Sequence, residues 1–133
     1  MSFTLHTQLE ADSLPICALP LCDIRLINDS RYPWVLAVPR LEDASDWQDL
    51  ADDDAAQLHT EVMKVARALK AIIQPRKMNI ASLGNMVPQL HVHIVARFEE
   101  DAAWPGPIWG VGQAVPYTAP PPLISALQER LMP

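Results

Sequence analysis

Pro88-Gln89-Leu90-His91-Val92-His93-Ile94-Val95-Ala96-Arg97 is the stretch on which the reading of this chain turns. Successive side chains of a β-strand point to opposite faces. As a strand, the stretch puts Leu90, Val92, Ile94 and Ala96 on one face, an unbroken apolar row suited to packing against a helix. Gln89, His91, His93 and Arg97 share the other face, with Val95 among them. Two imidazoles at i and i+2 have Cα atoms roughly 6.5–7 Å apart, close enough to act on one phosphate or one metal ion. A single His on a half-exposed strand is an ordinary polar filler. Two on one face, flanked by an amide and a guanidinium, point to a site.

Upstream of this strand, Gly84-Asn85 is suited to a tight hairpin turn, whose backbone N–H groups are free to face a phosphate. The turn joins the His-bearing strand, starting at Met86 or Pro88 and running to Phe98, to a strand over Arg76 to Leu83. The main helix is expected over Asp52 to Ile73, because Leu58, Val62, Val65, Leu69 and Ile72 follow spacings of four, three, four and three. Asp52, Asp53 and Asp54 suit the positive end of its dipole, Lys64, Arg67 and Lys70 populate its later turns, and Pro75 ends it. His59 falls beside the apolar stripe, as a surface or boundary residue.

Earlier in the chain, Asp23 to Ile27 and Trp34 to Pro39 read as two strands. Asn28-Asp29-Ser30-Arg31-Tyr32-Pro33 between them is turn chemistry, which predicts an antiparallel hairpin. Leu14 to Leu21, broken by Pro15 and Pro20, suits a short edge strand. Leu9 begins a helical turn, and Ser45 or Asp46 caps another. Cys17 and Cys22 read as buried thiols rather than a disulfide or a zinc pair. After Ala103 the prolines predict an extended segment, with Trp104 and Trp109 anchoring it to the domain rather than bordering the site. Leu123, Ile124, Leu127 and Leu131 have the spacing of a short terminal helix. The fold class is therefore α+β: an antiparallel sheet of about five strands, one long helix on one face, and a short C-terminal helix. The 133 residues are expected to form one domain, with a core over about residues 14–98 and a Pro/Trp-rich tail over 99–133.

Charge narrows the function classes. A formal charge of −6 argues against a nucleic-acid polymer as partner, since that footprint is basic. Any anionic substrate has to be held by local groups. No apolar run reaches membrane-spanning length. The start Met1-Ser2-Phe3-Thr4-Leu5-His6 lacks a basic region and an apolar core, so a cytoplasmic location is expected.

His91-Val92-His93-Ile94-Val95 followed by Arg97 resembles the signature of the histidine-triad (HIT) family, in which three histidines alternate with apolar residues on a strand. The element order from about Leu14 to Arg97 is similar too, including Asn28 at the first hairpin, and Trp104 to Gly110 resembles a feature of a bacterial subgroup. The resemblance implies a nucleotide hydrolase or transferase, similar to diadenosine tetraphosphate hydrolases. Such proteins act on phosphoanhydride or phosphoramidate bonds, usually as homodimers whose sheets join edge to edge. It further implies that His91 is a nucleophile forming a nucleotidyl-histidine and that His93 contacts the phosphate. Gln89 stands where the first histidine is expected; it can hydrogen-bond but cannot carry a proton near neutral pH. Asn28 is then a ribose ligand, while Asn85 and Arg97 face the phosphates. No tightly bound cofactor is implied, although a divalent cation can accompany the substrate. Two rival readings remain at this level: a nucleotide-binding protein without turnover, and a metal held by His91, His93 and a third ligand such as His59 or an aspartate.

Overall fold

The computed structural model describes residues 3–132; Met1 and Ser2, part of the segment read against a secretory signal, and Pro133 lie outside the described residues. Five strands make one sheet: β1 (Ser13–Ala18), β2 (Cys22–Ile27), β3 (Trp34–Pro39), β4 (Lys77–Ala81) and β5 (Val92–Arg97). Their spatial order is β1-β2-β3-β5-β4, and every neighbouring pair is antiparallel. Around them lie α1 (Thr7–Ala11), α2 (Asp52–Ile73) and α3 (Pro122–Leu131), with one 3-10 turn over Trp47–Asp49. This is the expected α+β architecture. Pro15 sits on β1, an edge strand, beside an irregularity in register, which is where a residue without an N–H is tolerated.

Helix α2 covers one face of the sheet. Leu58, Val62, Val65 and Leu69 are buried against Ile24, Leu26, Val35, Val92, Ile94 and Ala96. The apolar row of β5 therefore lies under the helix, as its alternation requires. The helix stops where Gln74 adopts a left-handed conformation (φ 54°) just before Pro75. A buried carboxylate within the stripe ties the helix to the sheet: Glu61 accepts N–H bonds from Leu21 (2.9 Å) and Cys22 (2.8 Å), holding the β1–β2 turn. Burial, reinforced by this carboxylate, pushes the Cys22 thiol well up, and both cysteines are free thiols.

Two expectations are corrected. The β4–β5 connection is a ten-residue loop over residues 82–91, not a tight hairpin at Gly84-Asn85, and β5 starts only at Val92. Pro88 has no N–H to give a ladder, and the N–H of Leu90 donates outside the sheet, to the carbonyl of Ala44 (2.9 Å). The tail after Ala103 is not extended over its first part, up to residue 112. It folds as successive turns onto the second face of the sheet, where Ile108 is buried with Tyr32 and Val95.

Arg97 anchors that tail. Its guanidinium donates to both carboxylate oxygens of Asp101 (2.7 and 3.0 Å), to Asn79 Oδ1 (2.8 Å) and to the carbonyl of Gly106 (2.8 Å). It also lies over the rings of Tyr32 and Trp104. The Asp101 carboxylate in turn accepts N–H bonds from Phe98, Ala103 and Trp104. Bonding to Arg97 holds the Asp101 carboxyl down at about 2, against 3.8 ordinarily. The side chains of the pair are only 2% and 5% exposed. We expect Arg97→Met to lower unfolding stability by about 3–5 kcal/mol in denaturant titration, because Asp101 is left charged and unpaired. The sign with pH follows from the depressed carboxyl: its stabilisation is complete above about pH 4 and lost as pH falls through about 2. A variant as stable as the parent, with the same acid limb, would refute this role.

Candidate active site

His91 and His93 lie on the tail-covered side of the sheet, each 6% exposed, with ring centroids 4.9 Å apart and planes at 68°. Their neighbours decide their protons. His91 Nδ1 is 2.7 Å from the carbonyl oxygen of Gln89. A carbonyl only accepts, so Nδ1 carries the proton and Nε2 keeps a free lone pair. His93 Nδ1 is 3.0 Å from the indole Nε1 of Trp34. An indole N–H only donates, so Nδ1 of His93 is the acceptor and its proton sits on Nε2. Burial first, and then the neighbouring His91, holds His93 down at about 3, which keeps it neutral through the physiological range. The pair thus offers one nucleophilic nitrogen, on His91, and one N–H donor on a neutral ring, that of His93.

A cleft with two lobes opens on this pair. One lobe, of about 540 Å³, is walled by Leu83, Asn85, Met86 and Val111; the other, of about 470 Å³, by Leu9, Asp12, Ile27 and Asn28. His91, His93, Trp34 and Trp109 line both. The Trp109 ring stands edge-on to His93 at 5.2 Å and to Trp34 at 6.4 Å.

The tail is strapped over the cleft by the β2–β3 loop. Ser30 N donates to the Val115 carbonyl (2.7 Å), and Asp29 Oδ1 accepts from Val115 N (3.2 Å). Asn28 Oδ1 accepts from Tyr117 N (2.9 Å). Arg31 bonds the buried Asp29 carboxylate and the carbonyl of Val111 (2.8 Å). Gly112 has φ +63°, and a Cβ there would meet Arg31 Nη1 at 2.9 Å, so both backbone conformation and space call for glycine.

Sequence-based candidates separate into two groups. His91, His93, Asn28 and Asn85 line the cleft. Arg97 does not: its guanidinium is buried in the tail anchor. The Gln89 side chain turns away as well, accepting from His6 N (2.8 Å) and donating to the Thr4 carbonyl (2.9 Å). Position 89 touches His91 through its backbone instead. His59 is exposed on α2, the helix that covers the opposite face, and among the described residues no three His, Cys, Asp or Glu side chains group as a metal site. Trp104 anchors by stacking on Arg97, whereas Trp109 borders the site, so the tryptophans divide between the two readings. The reading of the sequence passed over Trp34 and Asp29. Trp34 carried one signal: it shares strand parity with Leu36, the residue paired with His93 in the sheet.

The site is thus a His-X-His pair at the floor of a cleft on a five-stranded antiparallel sheet. The chain belongs to the HIT domain family, whose model matches residues 8–100. It is similar along almost its whole length to a histidine triad protein of Bradyrhizobium japonicum, with 46% identity, 98% and 99% of the two chains covered and a TM-score of 0.94. A histidine triad protein of Sinorhizobium meliloti is 43% identical, with 97% of each chain covered and a TM-score of 0.92. One from Marinobacter aquaeolei is 38% identical, with 98% and 97% covered and a TM-score of 0.93. No curated protein matches the chain.

Because Gln89 meets His91 only through its carbonyl, Gln89→Ala is expected to leave the Nδ1–H tautomer of His91 intact. Long-range ¹⁵N NMR of the imidazoles reads this directly. A switch of His91 to the Nε2–H form would instead give the side chain a part in orientation.

Proposed function

We propose that the protein is a nucleotide hydrolase or nucleotidyl transferase that cleaves a phosphoanhydride or phosphoramidate bond through a nucleotidyl-His91 intermediate. The observation that carries this reading is the bond from His91 Nδ1–H to the Gln89 carbonyl, which leaves Nε2 as a neutral nucleophile beside a cleft. Nε2 attacks phosphorus and the leaving group departs with its bonding pair. Water then attacks the same phosphorus, the N–P pair returns to Nε2, and a proton goes to solvent.

His93 acts as a neutral donor, through Nε2–H, to a phosphoryl oxygen, its burial disfavouring the protonated form. The lobe with Asn28 takes the nucleoside, its base against Leu9, Ile27 and Leu36 and a ribose hydroxyl on the Asn28 amide. Gln89 in place of the first triad histidine is compatible with turnover, because the orienting acceptor belongs to the backbone, which any residue supplies.

His91→Asn should abolish nearly all hydrolysis while leaving nucleotide affinity within about tenfold, roughly 1.4 kcal/mol. The parent protein should yield an acid-labile phosphoramidate on His91 when quenched without acid. An adduct on His93, or hydrolysis that survives in His91→Asn, would overturn the assignment, and tight binding with no cleavage would favour a binding protein.

The same proposal includes a homodimer formed edge to edge. Strands β1 and β4 are the free edges of the sheet, and Ile80 on β4 is 41% exposed. Sedimentation at micromolar concentration should give twice the monomer mass; monomer alone would contradict it.

A further inference from the structure

We propose that Trp109 is a phosphate-binding residue, whose indole N–H donates to a phosphoryl oxygen once a nucleotide enters the cleft. This rests on the reading of the protein as a nucleotide-binding enzyme with His91 as nucleophile.

Side-chain donors at the junction of the two lobes are few. Trp34, His91, His93 and Trp109 line both lobes, and each carries one ring N–H. Two of these are already spent. The Trp34 N–H goes to His93 Nδ1 (3.0 Å), and the His91 Nδ1–H goes to the Gln89 carbonyl (2.7 Å). The Nε2–H of His93 serves one phosphoryl oxygen, and a second oxygen needs another donor. Trp109 carries the fourth N–H, and its Nε1 is buried with no hydrogen-bond partner. Among the described residues the Tyr32 hydroxyl shares that state, but Tyr32 lines neither lobe.

A buried N–H without an acceptor is costly and uncommon in a folded chain. Here the acceptor comes with the ligand, because the Trp109 ring stands 5.2 Å from that of His93, at the place where the phosphate is bound. Arg31, the single lysine or arginine lining either lobe among the described residues, is already bonded to Asp29 and to the Val111 carbonyl. The anion is therefore met by neutral, oriented donors, as in an oxyanion hole.

The backbone leaves the indole room to turn toward the ligand. Trp109 is the second residue of a turn closed by the Val111 N–H on the Ile108 carbonyl (3.3 Å). Gly110 is the third, at φ +84°, as in a type II turn. Buried Ile108 fixes one end of the turn, and Arg31, through the Val111 carbonyl, fixes the other. Between them Trp109 is half-buried, and a Cβ placed on Gly110 would meet no atom within 4 Å.

The test titrates the parent protein and Trp109→Phe, which keeps a ring but removes the N–H, with adenosine 5′-monophosphate and with adenosine, which lacks the phosphate. The substitution should weaken binding of the monophosphate about tenfold, as for one hydrogen bond to a charged group, and leave adenosine binding unchanged. In the parent protein, the assigned indole ¹H signal of Trp109 should move downfield with the monophosphate and not with adenosine. Equal weakening of both ligands would make Trp109 a packing residue and overturn the inference. Unchanged affinity for the monophosphate, or an indole signal indifferent to the phosphate, would overturn it too. In each of these cases labelling of His91 by substrate still decides the underlying reading by itself. A parent protein that binds neither compound would remove the nucleotide reading and this inference together.

Discussion

A strand in the middle of a sheet has two faces to cover, and all six residues of β5 are buried. One face is apolar throughout and needs only α2. The other carries Val95 between His93 and Arg97, two polar side chains that need hydrogen-bonding partners. The tail covers it instead, and its irregular backbone provides what a helix lacks, free carbonyls and N–H groups in many directions. Arg97 takes the Gly106 carbonyl, and Asp101 takes three backbone N–H groups. A buried guanidinium is tolerable only with its donors paired, so the tail's path follows from one charge on β5.

The cleft is what this covering leaves open. Just before β5 begins, the chain has not yet entered the ladder, and the Gln89 carbonyl, outside strand pairing, accepts from His91. Once the ladder begins, it places His93 opposite Leu36 and within reach of Trp34 from the same neighbouring strand. The two imidazoles are thus oriented by a backbone acceptor and an indole donor, neither of which titrates. Their tautomers follow from the partners, and a site oriented in this way does not depend on a neighbouring acid or base.

Arg97 and Arg31 both serve the tail. Arg97 pins its beginning and Arg31, through Asp29 and Val111, pins its later turns. The strap brings Trp109 against His93 and sets the boundary between the lobes. Stability and selectivity are coupled here, because the groups that close the second face also define the walls that meet the substrate.

Much of this was legible in the chain itself. Apolar periodicity placed α2 at Asp52–Ile73, and alternation placed Leu90, Val92, Ile94 and Ala96 under it, since both patterns depend on local geometry. The pairing of His91 with His93 followed from the same alternation. Local pattern could not say where the side chains of Gln89, Arg97 and Trp34 would go. Gln89 is turned outward by the N-terminal segment more than eighty residues away, Arg97 is claimed by the tail, and Trp34 reaches His93 only through the β3–β5 register. Periodicity determined which residues share a face; the tertiary structure decided which of them face the cleft, because a side chain's partner comes from whatever distant segment is packed against it.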